Sequence, residues 1–367
     1  MSHPSSPSIS RRNFLEKGSI LAGAVLAAPT FGSLLGNSDA VEAAGHKPVY
    51  LGTSIRSLAN PYGTQWNQGG ELFNAALHQS SKYYEVLTFP DDAGQVNTVQ
   101  SLISKAGKDV VFNFDPNDAP VVKPLADALS QAGVYFATQW NKPDNIHPWN
   151  YDPYWVCHIT DDGLATGYDT AKQLFQALKP QAGVGKVFAI NGLLGDTIGR
   201  ERFAGLKKAL KEFPHMELVG SQPANWDRQV AYSVTQTALT AHPDINAIWS
   251  ANDDMAIGAL KAISAAGKTG KIAIVGTDAI PEALAAIHDG HMVATVASDA
   301  MWQGGMGLSL AYHAYTGTIK PASLPRSKRE WYFKYFLITR KNVQEWINHK
   351  PNYNWNDLFG RDTGRIR

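Results

Sequence analysis

Six short stretches of this sequence combine amides, carboxylates, guanidiniums and aromatic rings in a way suited to a polar, ring-shaped small molecule. They are Asn60-Pro61-Tyr62, Asn113 with Asp115, Arg200-Glu201-Arg202, Trp226-Asp227-Arg228, Asn252-Asp253-Asp254 and Thr277-Asp278. Planar amides, carboxylates and guanidiniums pair with fixed hydroxyls, and aromatic faces lie against C–H surface; this is the set of contacts a sugar requires. Each stretch alone also reads as a helix start, because Asn and Asp ahead of a helix are common N-caps. For Asp253 and Asp196 capping is the better reading. Capping does not explain why all six fall at strand exits.

Catalytic patterns are weak by comparison. Gly267-Lys268-Thr269 resembles the end of a phosphate loop, but Ala262 stands where that motif needs glycine, and a helix precedes it instead of a strand. Gly304-Gly305-Met306-Gly307 lacks dinucleotide-loop spacing and is read as a site of close helix packing. His288 and His291 flank the turn Asp289-Gly290 and read as surface residues, so neither a metal nor a cofactor is expected. The acid pair that glycoside hydrolysis needs could be drawn from Asp278 and Asp253, but nothing activates either.

The elements that must position these residues alternate regularly. Short apolar strands are expected at 49–54, 84–89, 110–114, 134–138 and 154–159, then at 186–191, 216–222, 247–250, 272–277 and 293–297. Between them lie helix-length amphipathic segments at 60–79, 118–132, 163–178, 199–212, 228–241, 253–266 and 280–289. Such alternation implies an α/β fold with parallel sheets, ligands being held beyond the strand ends. Two series in succession imply two similar Rossmann-like lobes. Residues 320–329 form a basic connector, 331–339 alternate like one strand, 342–347 fit a short helix, and 350–367 read as a tail draped over a surface.

Bulk properties narrow the class. Apolar residues make up 44% and charged residues 18%, as in a packed globule, and a net charge of +1 gives no concentrated basic face for nucleic acid. Arg11-Arg12, Lys17 and a mildly apolar run to about Phe31 read as a twin-arginine export signal, 1–43, with cleavage after Val41-Glu42-Ala43. No cysteine lies near that site, which argues against a lipid anchor. The single cysteine, Cys157, reads as core.

Over 48–317 the sequence resembles the ribose-type periplasmic sugar-binding proteins of the type I fold. The stretches that carry the resemblance are Asn60-Pro61-Tyr62, Arg200-Glu201-Arg202, 221–228, Ala241-His242-Pro243-Asp244, 252–260 and Val275-Gly276-Thr277-Asp278. It implies that Asn60, Tyr62, Asn113, Arg202, Trp226, Asn252 and Asp278 touch the ligand. Tyr62 and Trp226 would then sandwich its ring while Asp278 and Arg202 grip hydroxyls. Departures matter too: Arg56 replaces a small serine, Thr138 and Gln139 followed by Trp140 replace an Asp-Arg pair, Ser298 replaces a glutamine and Gly63 an aromatic. They argue against ribose itself. Arg56 suggests a ligand with a negative or accepting group, unless it pairs with Asp115 or another loop carboxylate.

The resemblance further implies lobes of 48–160 plus 299–330 and 161–298 plus 331–349, joined by three hinge strands that close on a sugar, polyol or sugar acid. The expected partner is the membrane permease of an ABC importer, with a chemoreceptor or sensor kinase as the alternative and a secreted carbohydrate-active enzyme less favoured. The protein is expected to be a periplasmic monomer. A transcription regulator is set aside because an export signal stands in place of DNA-binding helices.

Overall fold

The computed structural model describes residues 48–178, 184–350 and 352–365. The twin-arginine segment and its cleavage site lie outside the described residues. In the first half, β1 (Tyr50–Ser54), α1 (Pro61–Ala76), β2 (Tyr84–Leu87), α2 (Asp92–Ala106), β3 (Val110–Phe114), α3 (Val122–Ala132), β4 (Tyr135–Gln139) and β5 (Trp155–Thr160) follow one another. The second half repeats the pattern with α4 (Gly163–Leu178), β6 (Gly185–Asn191), α5 (Thr197–Glu212), β7 (Met216–Pro223), α6 (Arg228–Ala241), β8 (Ala247–Ser250), α7 (Asp253–Ala265), β9 (Ala273–Val275), α8 (Pro281–His288) and β10 (Ala294–Ala297). Then come α9 (Ala300–Tyr315), β11 (Glu330–Tyr332), β12 (Phe336–Thr339) and α10 (Val343–Ile347).

These strands form two six-stranded sheets of one topology, β11-β5-β4-β3-β1-β2 and β12-β10-β9-β8-β6-β7. The pairings are parallel except β10 with β12. In each, the chain starts near one edge and reverses direction of travel, leaving a crevice at the switch beyond the strand ends. This is an α/β fold of two like lobes, as the element order implies. The chain crosses between sheets three times, at 161–162 into α4, at 298–299 into α9, and at 333–335 between β11 and β12. The single strand expected at 331–339 is therefore two strands, one in each sheet. Alternating aromatics continue unbroken through the crossing, Trp331 and Phe333 packing in one lobe before the chain leaves it, so periodicity alone hides the break.

The helices that follow the first two crossovers are locked by glycine. A Cβ on Gly69 of α1 would lie 1.8 Å from the Met301 carbonyl oxygen, and one on Gly304 of α9 2.0 Å from that of Trp66. In the other lobe a Cβ on Gly167 of α4 would lie 2.0 Å from the Arg202 carbonyl oxygen, and one on Gly205 of α5 2.4 Å from that of Leu164. Backbones meet at distances that only glycine permits, which is the close packing read from Gly304-Gly305-Met306-Gly307. Cys157 is fully buried in β5, and burial pushes its thiol up to about 12. Its inert character follows.

Gly167 sits directly against the backbone of Arg202, so its size sets where α5 carries that guanidinium. Gly167→Ala is expected to lower stability by about 1–3 kcal/mol, the usual cost of overpacking. A thermal melt checks it; an unchanged midpoint would show that α4 and α5 can separate freely.

Candidate functional site

A cavity of about 460 Å³ lies between the lobes, beyond the ends of β1, β3 and β4 on one side and β6, β8 and β9 on the other. The lobes meet beside it: Thr197 N–H donates to Asn141 Oδ1 at 3.0 Å and the Thr197 hydroxyl to the Lys142 carbonyl at 3.2 Å. The volume falls in the range of small-molecule sites.

On the first lobe, Asn60 caps α1, its Oδ1 accepting from Tyr62 N–H at 2.9 Å, and also lines the cavity. Capping and lining are thus one role at this position. Tyr62 follows in the first turn, where its hydroxyl accepts from Trp140 Nε1 at 2.6 Å and donates to Gln303 Oε1 at 3.1 Å. Burial, then the charges of Asp115 and Asp278, hold that phenol well above the ordinary range. Trp140 has φ of +63°, an uncommon conformation for a bulky residue. The bend turns its ring back to lie edge-on to Tyr62, centroids 6.0 Å apart.

On the second lobe, Asn225 and Trp226 also have positive φ, +54° and +62°. The indole is fixed by donating to Asp196 Oδ2 at 2.8 Å, and a Cβ on Gly192 would fall 2.0 Å from its ring. Asp196 caps α5 through Gly199 N–H, as expected, but lines the cavity as well. Arg202, 3% exposed, donates from Nη1 to the Ala251 carbonyl at 3.1 Å; its guanidinium lies 3.5 Å from Asp161 and 3.9 Å from Asp278. It also sits 5.3 Å from the Trp140 ring of the opposite lobe, and its buried Nε–H has no hydrogen-bond partner among the described residues.

Asp278 has φ of +122° and Ala279 +58°. This strained loop is braced from below by Asp253, whose carboxylate accepts from Ile280 N–H at 3.1 Å and from the Thr295 hydroxyl at 2.8 Å. Asn252 is the cap of α7, accepting from Met255 N–H at 3.0 Å. The capping role expected of Asp253 thus belongs to its neighbour, while Asp253 is fully buried, its carboxyl pushed by burial up to about 7. At the rim, Arg228 is held by Asp254 and Glu282, each at 2.6 Å.

Of the residues expected at a ligand, Arg56, Asn60, Tyr62, Trp140, Arg202, Trp226, Asn252 and Asp278 line the cavity together. Asn113, Gln139 and Ser298 do not. Asn113 Nδ2 donates to the carbonyls of Gln303 and Gly304, both at 3.0 Å, and Gln139 Nε2 to Asn113 Oδ1 at 3.1 Å and the Gln303 carbonyl at 2.8 Å. Their amide N–H groups fix the start of α9 to the sheet, while Gln139 Oε1 is buried without a hydrogen-bond partner among the described residues. Ser298 donates to Asp161 at 2.9 Å inside the second crossover.

Several lining residues lie outside the set expected at the ligand, Asn141, Asp196, Gln229 and Glu282 among them, and Asp115 is one more. Asp115 follows β3 directly, the strand-exit position that groups it with Asn113, and the sequence also offers it as a partner for Arg56. Arg56 instead donates to the Asn117 carbonyl at 2.7 Å. Burial first, then the Asp196 carboxylate across the cleft, pushes the Asp115 carboxyl up to about 8 despite Arg56 and Arg202 pulling the other way. Burial likewise raises Asp196, Asp161 and Asp278.

Residues 51–319 match the family model described as periplasmic binding protein domain. The D-allose-binding periplasmic protein of Escherichia coli (strain K12) is 33% identical over 71% of this chain and 82% of its own length. A crystal structure of a twin-arginine translocation pathway signal protein from Burkholderia phytofirmans is similar with a TM-score of 0.84 and 37% identity, covering 88% of this chain and 99% of that one. An ABC transporter periplasmic solute-binding protein from Actinobacillus succinogenes with bound D-allose is similar with a TM-score of 0.70 and 26% identity, over 82% of this chain and all of that one. The resemblance carried by the strand-exit motifs and the doubled sheet topology lead to one place: this chain belongs to the periplasmic binding protein family.

Proposed function

We propose that the protein captures a neutral monosaccharide or cyclic polyol between its lobes and delivers it to the permease of an ABC importer. The observation that carries this reading is the cavity itself: Tyr62 and Trp140 on one wall, Trp226 on the other, and Arg202 with Asp278 at its floor. Aromatic faces would hold the ring, and the ionic side chains would accept and donate to hydroxyls in charge-assisted bonds. Relatives that bind D-allose support the class of ligand.

Charge argues against the sugar acid suggested by Arg56. That guanidinium keeps its charge on donating to the Asn117 carbonyl but lies within the field of Asp115 and Asp196, Arg228 is paired with Asp254 and Glu282, and Arg202 faces Asp161 and Asp278. Asp115 and Asp196 add acidic side chains to the lining, Asp115 holding its proton up to about pH 8 and so presenting a neutral hydrogen-bonding group. A ligand rich in O–H donors suits such walls and an anion does not.

The protein acts by hinge bending about its three crossovers, without turnover, as a periplasmic monomer exported through Arg11-Arg12. The acid pair considered for hydrolysis does not converge, because Asp253 is committed to Thr295 and Ile280 beneath the Asp278 loop.

A thermal-shift panel of D-allose, D-ribose, myo-inositol and D-gluconate is expected to show stabilisation by a neutral member and none by gluconate. Binding at a hundredfold excess over Kd contributes about 2.7 kcal/mol. A shift by gluconate alone would contradict the neutral-ligand reading. Asp278→Asn and Trp226→Ala should each weaken that ligand roughly 10- to 150-fold by calorimetry, from the loss of a charge-assisted bond or a buried ring; full affinity in both would place the ligand elsewhere.

The raised carboxyls give a pH dependence. Asp115 and Asp253 keep protons in the fold that the unfolded chain releases near about pH 4. Their stabilising protonation is fully present below that value and is lost as pH rises through about 7 for Asp253 and about 8 for Asp115. The melting temperature of the ligand-free protein should therefore fall between pH 5 and 8, and Asp115→Asn should flatten the upper part of that slope. Identical slopes in both proteins would show that Asp115 is not desolvated in the cleft.

A further inference from the structure

Residues 352–365 run across all three crossovers, and we propose that this C-terminal stretch is a strap favouring the closed lobes, with the Arg365–Asp162 ion pair as its link across the hinge. The proposal rests on the hinge-closure reading above.

Its first half is anchored on the first lobe. The Trp355 ring packs 6.0 Å from Phe73 and covers Gly305, where a Cβ would meet it at 2.3 Å, while its carbonyl accepts from the Ser309 hydroxyl at 2.6 Å. Leu358 is buried, and Phe359 lies edge-on to Trp331 at 6.1 Å. Burial of this kind does not shift with small motions.

The second half touches each crossover in turn. It pairs antiparallel with the third: Lys334 N–H donates to the Arg361 carbonyl at 2.9 Å, Thr363 N–H to that of Tyr332 at 3.0 Å, and Phe333 is bridged to Asp362. Arg361 reaches the second crossover, 2.9 Å from Asp299 and stacked 4.7 Å from the Trp302 ring. Arg365 reaches the first crossover, 2.5 Å from Asp162.

The two aspartates differ in what they belong to. Asp299 caps α9 through Trp302 N–H at 3.1 Å and so moves with the first lobe. Asp162 caps α4 through Ala165 N–H at 3.0 Å and moves with the second. A tail fixed to one lobe and ion-paired to a helix of the other spans a distance that rotation about the crossovers must change. The pair is partly exposed, Arg365 60% and Asp162 11%. Such pairs are weak, which suits a bias on an equilibrium and not a lock.

Single-molecule energy transfer between one dye on each lobe of the full-length mature protein tests this, first without ligand and then with D-allose. Arg365→Ala and Asp162→Asn, the latter keeping a good N-cap, should each raise the open population roughly two- to five-fold without ligand, and the double variant no further. Arg365→Lys should retain most of the wild-type distribution. Salt at about 1 M should erase the differences, since partly exposed pairs are screened. Unchanged populations in Arg365→Ala at low salt overturn the strap. A wild-type distribution that D-allose leaves unchanged contradicts the capture reading with that sugar instead, and the ligand-free comparison still decides on the strap.

Discussion

A guanidinium buried between two lobes cannot stand alone, and the partners that Arg202 requires organise the rest of this molecule. Stripping a charge of water costs several kcal/mol unless hydrogen bonds and opposite charge replace the solvent. Arg202 finds them in three places at once: Asp161 in the first crossover, Asp278 at the end of β9, and the backbone of Ala251 after β8. The ring of Trp140 closes over it from the other lobe. Hinge, floor and opposite wall therefore converge on one side chain.

The walls around it are held in conformations that ordinary loops avoid. Trp140, Trp226, Asp278 and Ala279 all carry positive φ, each a cost of about 1–3 kcal/mol that surrounding contacts must offset. Each is fixed by a specific bond: Trp140 to the Tyr62 hydroxyl, Trp226 to Asp196, and the Asp278 loop to Asp253. Beneath them, glycine contacts bring α1 against α9 and α4 against α5 at backbone distance. Rigid lobes concentrate bending in the short crossovers, which is what a hinge needs.

Much of this is legible in the chain. Alternation of apolar strands with amphipathic helices carries the doubled α/β order, and residues at strand exits carry the cleft. What escapes is whatever depends on a distant segment. Asn113 and Gln139 look like ligand contacts because a buried amide at a strand end can serve either purpose. Their partner is the carbonyl of Gln303, far along the chain, so no local pattern shows that α9 claims them. Ser298 is claimed the same way by Asp161. Asp115 stands with Asn113 in a strand-exit stretch, but Arg56 offers it a simple ion pair, and the hydrogen bond Arg56 makes goes to Asn117 instead. The break between β11 and β12 is hidden because alternation persists while the strand changes sheets.

A crystal structure of the protein grown with D-allose tests the central claim most directly. The account predicts the sugar ring between the faces of Tyr62 or Trp140 and Trp226, with one ring hydroxyl within hydrogen-bond distance of the Arg202 guanidinium and another within that distance of the Asp278 carboxyl group. A sugar bound outside the cleft, or one seated there touching neither Arg202 nor Asp278, would contradict it.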